Sequence, residues 1–186
     1  MRFLRELNIP VDVTHLYSNI HLYLGPDANE EDEQPRAWDS LNLPDSVVYI
    51  GGQTFINFQF SNIKWSKNLK YIGKSAFEYM SFHGDLNLPD TIEFLGTNAF
   101  LEVPITKLNI PKNLKDTGTT IFGSNYNPQI IITLDELIIP SGIINIGMML
   151  PTMFGYGIHV RKITLEVNNK LNNNLIYPIT EIMKVK

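Results

Sequence analysis

The chain has 186 residues, with 19 acidic against 15 basic side chains and a formal net charge of -4. That balance gives no electrostatic footprint for nucleic acid or an anionic membrane surface, so no nucleic acid partner is expected. It contains no cysteine, which excludes a disulfide framework and thiolate metal centres, and no window approaches the roughly 18 uninterrupted apolar residues of a membrane span.

Read in order, the chain repeats itself. The N-terminal MRFLRELNIPVDV lacks the apolar run of a signal peptide, because Arg5 and Glu6 interrupt it. A short pattern, Leu-x-(Leu or Ile)-Pro, then occurs at Leu7 to Pro10, Leu41 to Pro44, Leu86 to Pro89, Leu108 to Pro111 and Leu137 to Pro140. Ile63-Lys64-Trp65 and Ile163-Thr164-Leu165 fit it without the proline. The seven strand starts are spaced by 34, 22, 23, 22, 29 and 26 residues. Gly25 to Asp39 is an acidic insertion that reads as an exposed loop, and Gly123 to Glu136 is a second insertion. Asn168 to Asn174 is a polar spacer before Leu175 to Val185, an apolar segment that caps the stack as a helix or a last strand.

The remaining columns repeat in phase. Counting from each strand start, position seven is Val47, Leu69, Ile92, Leu114 and Ile143, and position ten is Ile50, Ile72, Leu95, Thr117 and Ile146. Position eleven is Gly51, Gly73, Gly96, Gly118 and Gly147, and position fifteen is Phe55, Phe77, Phe100 and Phe122, with Phe154 three residues late. Residues one and three of each strand point to one side of the pleat and fill a core. Proline at position four ends the strand where its missing N–H is not needed. Glycine supplies either a positive φ or a close approach between coils, and the phenylalanines stack into a spine. One coil cannot bury these side chains alone, so neighbouring coils hold one another. The fold class is α/β or mainly β: a single right-handed solenoid of about six to seven coils over residues 1–186, with a parallel sheet on one face. Residues 1–40 form a degenerate first coil carrying the loop 25–39, 41–165 the repeats, and 166–186 the C-terminal cap.

The aligned coil, L-x-(L/I)-P-x-x-I-x-x-(I/L)-G-x-x-A-F, resembles the BspA-type leucine-rich repeat. Leu86 to Phe100 matches every position, and Ile63 to Phe77 all but the proline. Many coils of that family carry a cysteine three residues after the phenylalanine; this chain has Phe58, Met80 and Val103 there. The resemblance implies a surface or secreted protein that binds other proteins, often as an adhesin, with no cofactor and no catalysis.

Two surface stripes are candidates for recognition. Strand position two, facing outward, is Asn8, Asn42, Lys64, Asn87, Asn109, Ile138 and Thr164; the residues just before each strand end in Asp85, Lys107, Glu136 and Lys162, alternating in sign. Such residues either pair between coils, amide on amide and charge on charge, or display a polar face to a partner. Position nine is Tyr49, Tyr71 and Phe94, then Asp116 and Asn145. These aromatics either cover one another or anchor a protein or a sugar ring. The candidate partner-binding residues are therefore Tyr49, Tyr71, Phe94, Lys64, Asn87 and Asn109.

The search for chemistry finds little. His15, His21, His83 and His159 have no metal-ligand spacing, and Asp27, Asn29, Glu31 and Glu33 alternate like a calcium loop whose glycine place is taken by Asp32. No GxSxG, P-loop or dinucleotide fingerprint occurs. Asp85 and Glu136 form a carboxylate pair only across Lys107, so pairing with lysine is expected. With Leu7 so near Met1 there is little room for an N-terminal cap, and that edge is expected to meet another chain or another copy. The functional expectation is a non-enzymatic protein-interaction module serving adhesion or assembly. A carbohydrate-binding surface protein, or a structural subunit of a larger assembly, a viral particle included, are the alternatives.

Overall fold

A computed structural model of the chain describes residues 6–18, 36–82, 84–124, 130–143 and 146–166. Most of the acidic loop, the C-terminal segment, His21, His83 and Asn145 lie outside these residues. The path begins with β1 (Glu6–Asn8), β2 (His15–Leu16), β3 (Arg36–Asn42), β4 (Tyr49–Ile50), β5 (Phe58–Lys64) and β6 (Tyr71–Ile72). It continues through β7 (Gly84–Asn87), β8 (Phe94–Leu95), β9 (Phe100–Leu101), β10 (Ile105–Asn109), β11 (Asp116–Thr117) and β12 (Phe122–Gly123). After β13 (Ile132–Leu134) and β14 (Glu136–Ile139) comes one helix, α1 (Ile146–Met153), then β15 (Ile158–Val160) and β16 (Ile163–Leu165).

All the named strand pairs are parallel, as a coil stack requires. The first strands of the coils form two sheets, β1-β3-β5 and β7-β10-β14-β16. Their register aligns Leu7 with Leu41 and Ile63, and Leu86 with Leu108, Leu137 and Ile163. These are the residues that the repeat spacing places first in each coil. A second ladder, β2-β4-β6-β8-β11, runs along another side of the stack through five turns without a break. It was not anticipated as strand, because two residues per coil are too few to show a period.

Each coil turns at position four. The carbonyls of Pro10, Pro44, Pro89 and Pro111 accept from the amides of Val13, Val47, Ile92 and Leu114 at 3.0–3.2 Å. Where serine replaces proline, Ser66 Oγ donates to the Val47 carbonyl of the previous coil at 2.6 Å, so the turn is tied to its neighbour.

The glycine column is explained by close approach rather than by a positive φ. A methyl group on Gly96 would lie 2.5 Å from the carbonyl carbon of Gly73 and the amide nitrogen of Lys74, inside contact distance of backbone. Gly73 stands in the same relation to Gly51 and Gly52 at 2.6–2.7 Å. Coils can therefore stack at sheet spacing here only without a Cβ. The positive φ angles fall instead on Gln53, Ser75, Asn98 and Thr120, two residues further on in each coil.

The core is the set of columns. Leu41, Val47, Ile50, Phe55, Phe77, Ile92, Leu95, Phe100 and Leu108 are fully buried. The phenylalanine rings stack from coil to coil, with centroids 5.1 Å apart for Phe55 and Phe77, 5.2 Å for Phe77 and Phe100, and 5.8 Å for Phe100 and Phe122. Phe154 continues the spine 5.7 Å from Phe122, because α1 takes up the extra residues of that coil. Phe58, Met80 and Val103 fill the places three residues after the phenylalanine and are buried.

Candidate functional site

The second ladder sets position nine in register: His15 against Tyr49, Tyr49 against Tyr71, Tyr71 against Phe94, and Phe94 against Asp116. Since position ten points into the core, position nine points out, and strand pairing brings its rings face to face. Tyr49 and Tyr71 stack with centroids 4.5 Å apart and planes at 9°; Tyr71 and Phe94 stack at 4.8 Å and 10°. All three are half-buried. Burial, and then the neighbouring Tyr49, push the Tyr71 phenol above its ordinary value. So the rings cover one another's faces and present edges and hydroxyls to solvent. A sugar ring needs an open aromatic face, and Tyr71 has none.

The stripe is longer than its repeat motif suggested. His15 stacks on Tyr49 at 5.5 Å, and Tyr17 lies 5.8 Å from His15 and 6.3 Å from Tyr49. Tyr17 remains 71% exposed, so it is the open end of the stack. These two were missed because the first coil carries Tyr17 where the others carry glycine. Its spacing from Leu7 would have found them.

The charged side chains stand in rows that pair from coil to coil. At position eight, Glu93 receives Lys115 at 2.5 Å and Lys70 at 3.3 Å, and these lysines, Lys115 first, hold its carboxyl below the usual range. At position five, Lys67 pairs with Asp45 at 3.6 Å and Lys112 with Asp90 at 3.4 Å. Before the strands, Glu136 takes Lys162 at 2.8 Å, the Thr164 hydroxyl at 2.5 Å and Lys107 at 2.9 Å. Together these hold its pKa at about 2. Glu136 and Asp85 are thus engaged with lysine and threonine rather than with each other; Asp85 accepts from Thr106 Oγ1 at 3.1 Å.

The asparagines of the strand face also serve the stack. Asn42 Nδ2 donates to Asn8 Oδ1 at 2.7 Å, and Asn109 Nδ2 to Asn87 Oδ1 at 3.4 Å. The row stops where Ile138 stands beside Asn109, which leaves Asn109 Oδ1 buried without a donor. Lys64 is exposed at the end of β5. Of the six sequence candidates, Tyr49, Tyr71 and Phe94 are brought together in one row. Asn87 and Asn109 pair with each other, and Lys64 stands apart from both groups.

Among the described residues, no group of three or more His, Asp or Glu side chains is placed to hold a metal ion, and no helix is long and apolar enough to cross a membrane. A family model described as BspA type leucine rich repeat region matches residues 36–129 in six copies. No curated protein and no solved structure matches the chain.

Proposed function

Because the chain belongs to the BspA-type leucine-rich-repeat family, we propose that it is a non-enzymatic scaffold that binds another protein through the row Tyr17, His15, Tyr49, Tyr71 and Phe94. Repeats of this kind commonly mediate protein binding. The observation that carries the reading is the continuation of the stack into an exposed tyrosine. Core packing requires the leucines, glycines and phenylalanines, and pairing between coils accounts for Lys67, Lys70, Lys107, Lys112, Lys115 and Lys162 with their carboxylates. Neither accounts for Tyr17, which is 71% exposed beside a rigid aromatic row. Tyrosines held in place by their neighbours bind a partner at low entropic cost, which is why they recur as interface anchors.

The charges at positions five and eight, paired from coil to coil, favour a partner recognised by shape and apolar contact over one drawn by net charge. A protein serving adhesion or assembly fits that description. The carbohydrate reading has less support, since the inner rings have no open face.

The test is site-specific photo-cross-linking in the native source. A photoreactive side chain in place of Tyr17 is expected to give a discrete protein adduct that one in place of Asp45, in a charge-paired row, does not. Adducts of the same kind from both positions, or from neither, would overturn the proposal.

A further inference from the structure

A third side of the stack carries position sixteen. There β9 pairs with β12, setting Leu101 against Gly123. The same register continues through the two coils before them. Phe55 and Asn57 donate to the carbonyls of Ala76 and Glu78 at 2.7 and 3.0 Å, and Phe77 and Tyr79 to those of Ala99 and Leu101 at 2.8 and 2.9 Å. In a parallel ladder those bonds set Ile56 against Glu78 and Glu78 against Leu101. The column therefore reads Ile56, Glu78, Leu101 and Gly123, with one carboxylate between two aliphatic side chains. At 9% exposed, Glu78 is the only Asp, Glu, Lys or Arg among the described residues to be buried.

Neither packing nor pairing within the stack explains that carboxylate. Asp45, Asp90, Glu93, Asp135 and Glu136 each meet a lysine or an arginine. Asp85 and Glu102 accept from the hydroxyls of Thr106 and Ser124 at 3.1 and 2.8 Å. All of these are more exposed than Glu78, yet no hydrogen bond or ion pair reaches the Glu78 side chain among the described residues. A buried charge without a partner destabilises a fold. The one side-chain oxygen both fully enclosed and unpartnered is Asn109 Oδ1, so the Glu78 oxygens still touch solvent. The stem is enclosed and the charged tip opens outward, which makes a recess that a cation can enter.

We propose that Glu78 is a second binding site, a socket for the ammonium group of a lysine on a partner protein. A divalent metal ion takes about six oxygen ligands, and no group of three or more His, Asp or Glu side chains is placed to hold one among the described residues. A lysine carries a compact charge on a thin four-carbon stem, so it can enter a recess while its methylenes lie against Ile56 and Leu101. The planar guanidinium fork of arginine is wider and needs an open carboxylate edge. Glu102, at position seventeen of the next coil, adds negative charge beside the socket. The site belongs to the ladder of β9 and β12 and is independent of the aromatic row.

The test uses the full chain. In thermal denaturation Glu78→Gln should leave the midpoint level or raise it, and Glu78→Leu, which makes the column aliphatic down to Leu101, should raise it; a midpoint lowered by Glu78→Gln would make the carboxylate a structural group and overturn the proposal. Butylammonium chloride, the end of a lysine side chain, is then titrated into the isotope-labelled protein and followed by nuclear magnetic resonance. Saturable shifts of the Glu78, Tyr79 and Leu101 amides are expected, at least fivefold weaker in affinity for Glu78→Gln and absent with butan-1-ol. No saturable shift up to hundreds of millimolar, the same shifts in Glu78→Gln, or the same shifts with sodium chloride, an adventitious ion only, would each overturn it. In the native source a carbodiimide, which joins a carboxylate to an amine in contact with it, should link Glu78 to a lysine of another protein. A link to a lysine of this chain, to a free amine, or to nothing would contradict the assignment.

Discussion

Phe77 and Phe100 lie ring over ring, 5.2 Å between centroids and 1° apart in plane, although 23 residues separate them in the chain. Both are fully buried. This contact joins one coil to the next at the centre of the stack. Phe100→Ala is expected to cost about 3–5 kcal/mol, the usual loss for truncating a core aromatic, in urea denaturation followed by far-ultraviolet circular dichroism. A loss under about 1 kcal/mol would remove this column from the core.

The glycine column makes a sharper prediction. At Gly96 an added methyl group meets the backbone of the neighbouring coil, which cannot swing aside as a side chain does. Gly96→Ala should cost about 1–3 kcal/mol or more through overpacking. Gly142, with φ at 86° and open space around it, is the comparison: Gly142→Ala carries only the left-handed backbone penalty of about 1–2 kcal/mol. If Gly96→Ala proves the milder of the two in thermal denaturation, the close approach is wrong.

The charge rows make the stack sensitive to acid. The folded state holds Glu136 at about 2 against an ordinary 4.5, and depresses Glu93 in the same direction. A carboxyl whose pKa is lowered on folding adds stability that is fully present above about 4.5 and is lost as the pH falls toward about 2. Glu136→Gln should therefore be less stable than the parent at pH 7, and the gap should close between those two values. Lys107 is raised, chiefly by Glu136, so its contribution is present below its ordinary 10.5 and fades only as the pH climbs through the raised value. A gap between parent and Glu136→Gln that persists undiminished at pH 2 would contradict the pairing.

Much of this fold is legible because burial acts on columns. Leu86, Gly96 and Phe100 are each forced by a separate requirement, respectively an inward strand position, backbone contact and a central plug, so their coincidence at one spacing defines the coil. The charge rows were legible too, since Asp45, Lys67, Asp90 and Lys112 alternate at the coil spacing. Only the row before the strands was read. The helix α1 was hidden by Pro151 inside it and by the expectation that its coil would repeat the others. The aromatic row could be listed from sequence, but whether Tyr71 covers Tyr49 or faces solvent depends on strand pairing, which two residues per coil do not announce. The break between the sheets of β5 and β7 has one trace in the sequence, a spacing of 23 among neighbours of 22, and a lone extra residue does not say whether a loop or a ladder absorbs it.

Within the aromatic row, position decides the energetics. Tyr71 is sandwiched between Tyr49 and Phe94, so Tyr71→Ala forfeits two stacking contacts of about 0.5–1.5 kcal/mol each beyond its buried area. Tyr17 sits exposed at the end, and its replacement should stay within about 0.5 kcal/mol of the parent. Equal losses at both sites in urea denaturation would mean that the row is not organised as a stack with one open end.

The measurement that bears most directly on the proposed role combines those two scales in one variant. Tyr17→Ala is to be assayed for its denaturation midpoint and for its affinity toward the protein captured by cross-linking at that position. An unchanged midpoint with an affinity at least tenfold weaker is the expected result. An unchanged affinity would contradict the assignment of this row as the recognition surface.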